Sequence, residues 1–69
     1  MSGAELREMR EGAGVRLWQL AKELDRQEST LSLIERGIRA MPEDLPALYR
    51  AALQSIHDRR GDSLAEVSR

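Results

Sequence analysis

The sequence predicts a small all-α domain, a bundle of four to five helices. Apolar residues recur at helical spacing in the segments bounded by glycine, proline and capping residues. Residues 17–36 have the pattern of two short helices joined by a tight turn, and residues 45–56 carry one long apolar stripe. With 69 residues, the chain is near the size at which one hydrophobic core just suffices.

The first helix is predicted to begin near Gly3. Ser2 and Glu5 have the S-x-x-E spacing of a capping box, in which each side chain satisfies a free backbone donor at the helix start. The glycines at positions 12 and 14 are expected to end this helix. Its inner side is predicted from its apolar residues, which are Leu6, Met9 and Ala13.

The second and third helices are predicted over residues 17–24 and 28–35, joined by residues 25–27 and closed by Gly37. Arg16 falls at the first cap position and is a poor capping residue, a loss of about 1 kcal/mol for that helix start. In the third helix Leu31 and Ile34 face inward, which leaves an outward row of Glu28, Ser29, Ser32 and Leu33. A short helix with one buried edge and small, hydrogen-bonding outer residues suits the reading of a DNA groove.

A long fourth helix is predicted over about residues 44–60. Asp44 is a fair N-cap, and Pro46 then falls in the first turn, where proline is tolerated. The inward stripe consists of Leu45, Leu48, Tyr49, Ala52, Leu53 and Ile56. Because Gly61 is the next helix breaker, residues 61–69 are predicted to be a flexible tail.

Composition sets limits on function. The net charge of −1 is unusual for a nucleic-acid-binding domain, which is commonly basic. However, several bases lie in or beside the third-helix region, namely Arg16, Lys22, Arg26, Arg36 and Arg39. They form either a locally positive face or a mixed, solvated surface. The absence of cysteine excludes disulfides and thiolate metal sites and fits a cytoplasmic protein, and no apolar run is long enough to span a membrane.

Ordered sequence segments resemble the Cro/phage-repressor (XRE-type) family over about residues 4–56. These segments are LREMREGAG in the first helix, Leu20-Ala21, the STLS of residues 29–32, and the IERG of residues 34–37. The resemblance implies a lambda-repressor-like bundle with a helix-turn-helix at about residues 17–36. It also implies a partly buried ion pair between Arg10 and Glu35 that ties the first helix to the end of the third.

The resemblance implies that double-stranded DNA is the partner. The expected base-reading residues are Gln27, Glu28, Ser29, Ser32 and Leu33. The expected phosphate contacts, which hold the register without choosing sequence, are Arg16, Arg26, Arg36 and Arg39.

Four residues leave alternatives open. Glu28 accepts a hydrogen bond from a cytosine amine, or merely favours the positive end of its helix. Leu33 touches a thymine methyl group, or belongs to an apolar protein-binding patch. Leu17 stands where relatives commonly have glutamine, which contacts a phosphate. Trp18 covers core surface, contacts a protein partner, or contacts the DNA backbone.

Two functions therefore compete. The first is a sequence-specific transcriptional regulator, expected to be a repressor of the prokaryotic or phage type, that binds a pseudo-palindromic operator as a homodimer. Its dimer contacts are predicted at the far end of the fourth helix, at Leu53, Ile56 and His57. The second is a protein-interaction module with weak or lost DNA binding, which would use Leu17, Trp18 and Leu33.

An enzyme is not expected. His57 is the single histidine, and its neighbour Asp58 cannot face it on a helix. There is no cysteine and no phosphate-cradling glycine loop. No metal site, cofactor or small-molecule ligand is predicted either, because potential ligands are not clustered.

Overall fold

A computed structural model describes the backbone of residues 1–67 and the side chains of residues 1–60. Within the described backbone there are four helices and no strand: α1 (Gly3–Gly12), α2 (Leu17–Leu24), α3 (Glu28–Glu35) and α4 (Leu45–Val67). The predicted all-α fold is confirmed. The predicted bounds of α1, α2 and α3 and the start of α4 also agree with the structure.

The start of α1 is capped and tightly packed. The hydroxyl of Ser2 accepts a hydrogen bond from the backbone N–H of Glu5 at 3.2 Å, as the capping pattern predicts. Gly3 lies against the end of α3, so closely that a Cβ atom at this position would be 2.0 Å from the carbonyl oxygen of Ile34. The glycine therefore permits the close approach of α1 to α3.

The core lies where α4 packs across α1 and α2. Its buried apolar members are Leu6, Val15, Leu20, Ala21, Leu31, Ile34, Leu45, Tyr49, Ala52, Leu53 and Ile56. The prediction that Ala13 faces this core is wrong, because α1 ends at Gly12 and residue 13 is exposed in the turn. The buried polar position on α1 is Arg10 instead.

Two predictions about α4 are wrong. The helix does not end near residue 60 but continues to Val67, because an internal glycine costs a helix only about 1 kcal/mol and does not by itself end it. Residues 68 and 69 lie outside the described residues, and the flexibility expected for 61–69 stays a prediction. Leu53 and Ile56 are not exposed for a second copy, because the stripe that carries them is packed into the core.

Two arginines near residue 60 fix α4 against the rest of the bundle. The guanidinium of Arg60 donates to the carbonyl oxygens of Ala13 and Gly14, at 3.3 and 3.0 Å. Arg59 forms an ion pair with Glu23 of α2. Hydrogen bonds from Ser55 and from Arg59 lower the pKa of the Glu23 carboxyl. The α1–α2 turn and the outer side of α2 are thus both held to α4.

Candidate nucleic-acid interface

The turn between α2 and α3 depends on one residue in the left-handed region. Asp25 has φ 55°, a conformation that favours glycine but that aspartate tolerates better than most residues. The next N–H, of Arg26, donates to the carbonyl oxygen of Ala21 at 2.9 Å and closes the end of α2. This turn sets the direction in which α3 leaves α2.

The end of α3 is closed by a Schellman motif. Gly37 has φ 78°, and its N–H donates to the carbonyl oxygen of Ile34 at 3.1 Å. The N–H of Ile38 donates to the carbonyl oxygen of Leu33 at 2.9 Å. The motif folds the following loop back beside α3, so that Arg36 and Arg39 lie exposed at its carboxyl end.

The outer face of α3 matches the predicted arrangement. Leu31 and Ile34 are buried, Gln27, Glu28 and Ser29 are exposed, and Ser32 and Leu33 are half-buried. A shallow depression of about 670 Å³ brings together four of the five predicted base-reading residues and Leu17; it is lined by Leu17, Gln27, Glu28, Ser29 and Ser32. Leu33 does not line it.

A buried polar network fixes the orientation of α3. Two nitrogens of the Arg10 guanidinium donate to the two carboxylate oxygens of Glu35, at 3.0 and 2.9 Å. A third Arg10 nitrogen donates to the carbonyl oxygen of Val15 at 3.0 Å. The hydroxyl of Tyr49 donates to Glu35 at 2.8 Å. α1, α3 and α4 therefore meet at the Glu35 carboxylate, and Arg10 also holds the loop before α2.

This network shifts two pKa values. The hydrogen bond to Glu35 raises the pKa of the Arg10 guanidinium, although burial opposes the shift. Burial raises the pKa of the Tyr49 phenol, and so does its hydrogen bond to the Glu35 carboxylate. The folded state therefore favours a charged arginine and a neutral tyrosine. Sequence spacing predicts that Tyr49 is buried but gives no sign of its hydrogen bond to Glu35, although a buried tyrosine hydroxyl normally requires a partner.

The start of α2 has a hydrogen bond that the sequence analysis missed. The Arg16 side chain does not cap the helix, as expected, but the side-chain oxygen of Gln19 accepts from the Arg16 backbone N–H at 2.9 Å. This is the returning half of a capping box. It orients the loop that carries Arg16. The side chains of Arg16, Arg26, Arg36 and Arg39 are all exposed, and their role as phosphate contacts stays a prediction.

Leu17 and Trp18 do not form one apolar patch. Leu17 is half-buried, packs against the core, and lines the depression beside α3. Trp18 is 54% exposed and lines a different groove between α2 and α4, together with Ile56 and Arg59. More than half of the Trp18 surface is therefore exposed. The predicted roles of Trp18 as a core cover, a protein contact or a DNA contact stay predictions.

Among the residues that the structure describes, no group of side chains is arranged to hold a metal ion. Over the same part of the chain, none of the helices has the length and apolar character required to cross a bilayer.

Comparison with known proteins identifies a family. A family model described as a helix-turn-helix domain matches residues 3–60, which include α1, α2, α3 and most of α4. No curated protein and no solved structure matches the chain.

Proposed function

Since the chain belongs to the helix-turn-helix domain family, whose domains bind DNA and are not enzymes, we propose that it is a sequence-specific transcriptional regulator. The observation that carries the proposal is the outer face of α3, which presents small and hydrogen-bonding side chains while the Arg10–Glu35–Tyr49 network holds the helix from behind. A rigid helix with such a face fits the major groove.

In the proposed complex α3 enters the major groove. The hydroxyls of Ser29 and Ser32 hydrogen-bond to base edges, Glu28 accepts from a cytosine amine, and Leu33 contacts a thymine methyl group. Gln27 lies at the amino end of this row. The four exposed arginines Arg16, Arg26, Arg36 and Arg39 contact phosphates and hold the register.

We further propose that the chain acts as a homodimer on a pseudo-palindromic operator and represses by occupying it. An eight-residue recognition helix reaches only a few base pairs, so useful affinity requires a second half-site. Of the three dimer contacts predicted from sequence, His57 alone is exposed for a second copy. Analytical ultracentrifugation of the chain, free and on DNA, tests this: monomers under both conditions refute the dimer.

The DNA-binding proposal is tested by fluorescence anisotropy. Labelled duplexes selected from a random library, and a duplex from upstream of the chain's own gene, are titrated with protein at two salt concentrations. Saturable, salt-sensitive binding that survives scrambled competitor DNA supports a regulator. Failure to bind any duplex at low salt refutes it.

The second candidate function is a protein-interaction module, favoured by one observation: Trp18 is largely exposed, and tryptophan is a common interface anchor. The variants Trp18→Ala and Leu33→Arg separate the two functions, because Trp18 lines the groove between α2 and α4 whereas Leu33 belongs to α3. Loss of a protein partner in Trp18→Ala, with DNA affinity unchanged in both variants, favours the module. Altered DNA affinity or base preference in Leu33→Arg favours the regulator.

A further inference from the structure

A second depression lies beside the outer face of α3, where α1, the start of α2 and the end of α3 converge. Its volume is about 270 Å³, and its lining consists of Arg7, Arg10, Leu17, Ser32, Glu35 and Arg36. Three of these six residues are arginines. We call it the Arg7–Arg36 cleft. Arg7, which is not among the site residues predicted from sequence, lies three residues before Arg10 and so on the same side of α1.

The cleft carries net positive charge. The Glu35 carboxylate, the one acid in its lining, is matched by Arg10 and also accepts from Tyr49, so the charges of Arg7 and Arg36 are not neutralised by any acid in the lining. The Nε atom of Arg7 lies 3.4 Å from a carboxylate oxygen of Glu11 on the same helix, but both side chains are more than half exposed. An exposed pair of this kind contributes little and yields readily to a stronger partner. No ion pair involves Arg36 among the side chains that the structure describes.

The wall of the cleft also holds unused donors. A guanidinium has five N–H groups, and Arg10 uses three of them on Glu35 and Val15. The remaining two belong to a side chain that is only 11% exposed and borders the cleft. The hydroxyl of Ser32 is a further donor at the same place. Converging cationic and neutral donors suit an anion with several oxygen acceptors.

We propose that the Arg7–Arg36 cleft binds one phosphodiester group of the DNA backbone, held jointly by Arg7 of α1 and Arg36 at the end of α3. The inference rests on the proposed DNA-binding function and adds Arg7 and a shared phosphate to it. A phosphate bound by both helices fixes the position of α3 along the groove. It adds affinity without selecting sequence.

Continuity with the neighbouring depression favours a nucleic-acid strand over a free anion. Leu17 and Ser32 line both the cleft and the larger depression that contains Gln27, Glu28 and Ser29. A backbone phosphate in the cleft would therefore belong to the strand whose bases lie next to α3. Inorganic phosphate offers the same kind of oxygen acceptors, but it would occupy only the cleft and not the neighbouring depression.

The test compares Arg7→Gln, Arg36→Gln and the double variant with wild type. Arg50→Gln is the matched control, since it removes the same charge from an exposed position on α4, in the groove between α1 and α4. Each protein is first shown by circular dichroism to fold. Anisotropy titrations over a range of salt concentrations then give the affinity and the salt slope for a preferred and a scrambled duplex.

Arg7→Gln and Arg36→Gln are expected to weaken binding to both duplexes by a similar factor, about ten- to a hundredfold for loss of a charged hydrogen bond. Arg50→Gln is expected to bind like wild type. Because the two arginines hold one phosphate, the double variant is expected to lose about 0.9 from the log–log salt slope in total. A loss of about 1.8, that of two separate phosphates, overturns the shared site.

The possible failures are distinguishable. A wild-type chain that binds no duplex refutes the proposed function itself. A chain that binds DNA but is affected equally by Arg7→Gln and Arg50→Gln refutes the cleft alone. Nuclear magnetic resonance titration with inorganic phosphate gives the remaining comparison: the Ser32 amide is expected to respond more strongly to duplex. If phosphate saturates the cleft and duplex does not displace it, the cleft is a small-anion site and the inference is overturned.

Discussion

Replacement of Arg10 by methionine tests the buried network most severely. Methionine keeps an extended side chain but removes the charge and all three hydrogen bonds to Glu35 and Val15. The Glu35 carboxylate, whose side chain is 3% exposed, then retains only the Tyr49 hydroxyl as a partner. A nearly buried negative charge is left without its cation.

The expected loss is large relative to the stability of so small a domain. Removing one partner of a buried ion pair costs about 3–5 kcal/mol, because the other charge stays desolvated. A chain of this length has a free energy of unfolding of about 3–10 kcal/mol. Arg10→Met is therefore expected to lose a third or more of the stability. The double variant Arg10→Met/Glu35→Met leaves no buried charge and is expected to be more stable than Arg10→Met alone.

Urea unfolding followed by far-ultraviolet circular dichroism measures these differences. The helical signal is preferable to tryptophan fluorescence, because Trp18 is already largely exposed in the folded state. Wild type, both single variants and the double variant complete a double-mutant cycle. If the losses of the two single variants simply add in the double variant, the two side chains are independent, and the predicted coupling between Arg10 and Glu35 is refuted.

Three further predictions concern the backbone and Tyr49. Gly3→Ala is expected to lose about 1–3 kcal/mol of stability in urea unfolding, because the added Cβ would overlap the Ile34 carbonyl. Gly12→Ala is the control and should lose nothing, because there is open space around Gly12. A matching loss in both variants would contradict this packing. Asp25→Val is expected to lower the free energy of unfolding by about 1–2 kcal/mol, because residue 25 has a left-handed φ, whereas Asp25→Gly is expected to lower it by nothing. Equal melting temperatures of the two variants would disprove the strain. The pKa of Tyr49 in the folded state is raised above its ordinary value of 10.0. The contribution of the neutral, buried phenol to stability is therefore complete below about pH 10 and is lost as the pH rises above it. Tyrosinate absorbance should therefore appear only with alkaline unfolding, and its appearance near pH 10 in a folded chain would exclude the buried phenol.

Local signals were sufficient to predict most of the fold. The Ser2–Glu5 cap and Gly37 mark helix ends through backbone hydrogen bonds that involve only nearby residues. The apolar spacing of residues 45–56 identified the buried side of α4. The end of α4 differs from the prediction because Gly61 weakens a helix by only about 1 kcal/mol and does not stop it.

Features that depend on distant contacts were harder to predict. Periodicity shows that Leu53 and Ile56 share a face with the core residues of α4, but not how far along α4 the other helices cover that face. The bond from Tyr49 to Glu35 joins residues fourteen apart in sequence, and nothing local signals it. Arg7 becomes part of a candidate site only because the close approach of α1 to α3 at Gly3 brings the two helices together.

The most direct test of the central claim, that the outer face of α3 reads DNA, is a map of amide chemical-shift changes on titration with the preferred duplex. If α3 lies in the major groove, the largest changes are expected from residue 27 to residue 33 and at Arg36, larger than those at Arg50 and Gln54 on α4. Changes concentrated around Trp18 and Arg59, with α3 unaffected, would contradict it.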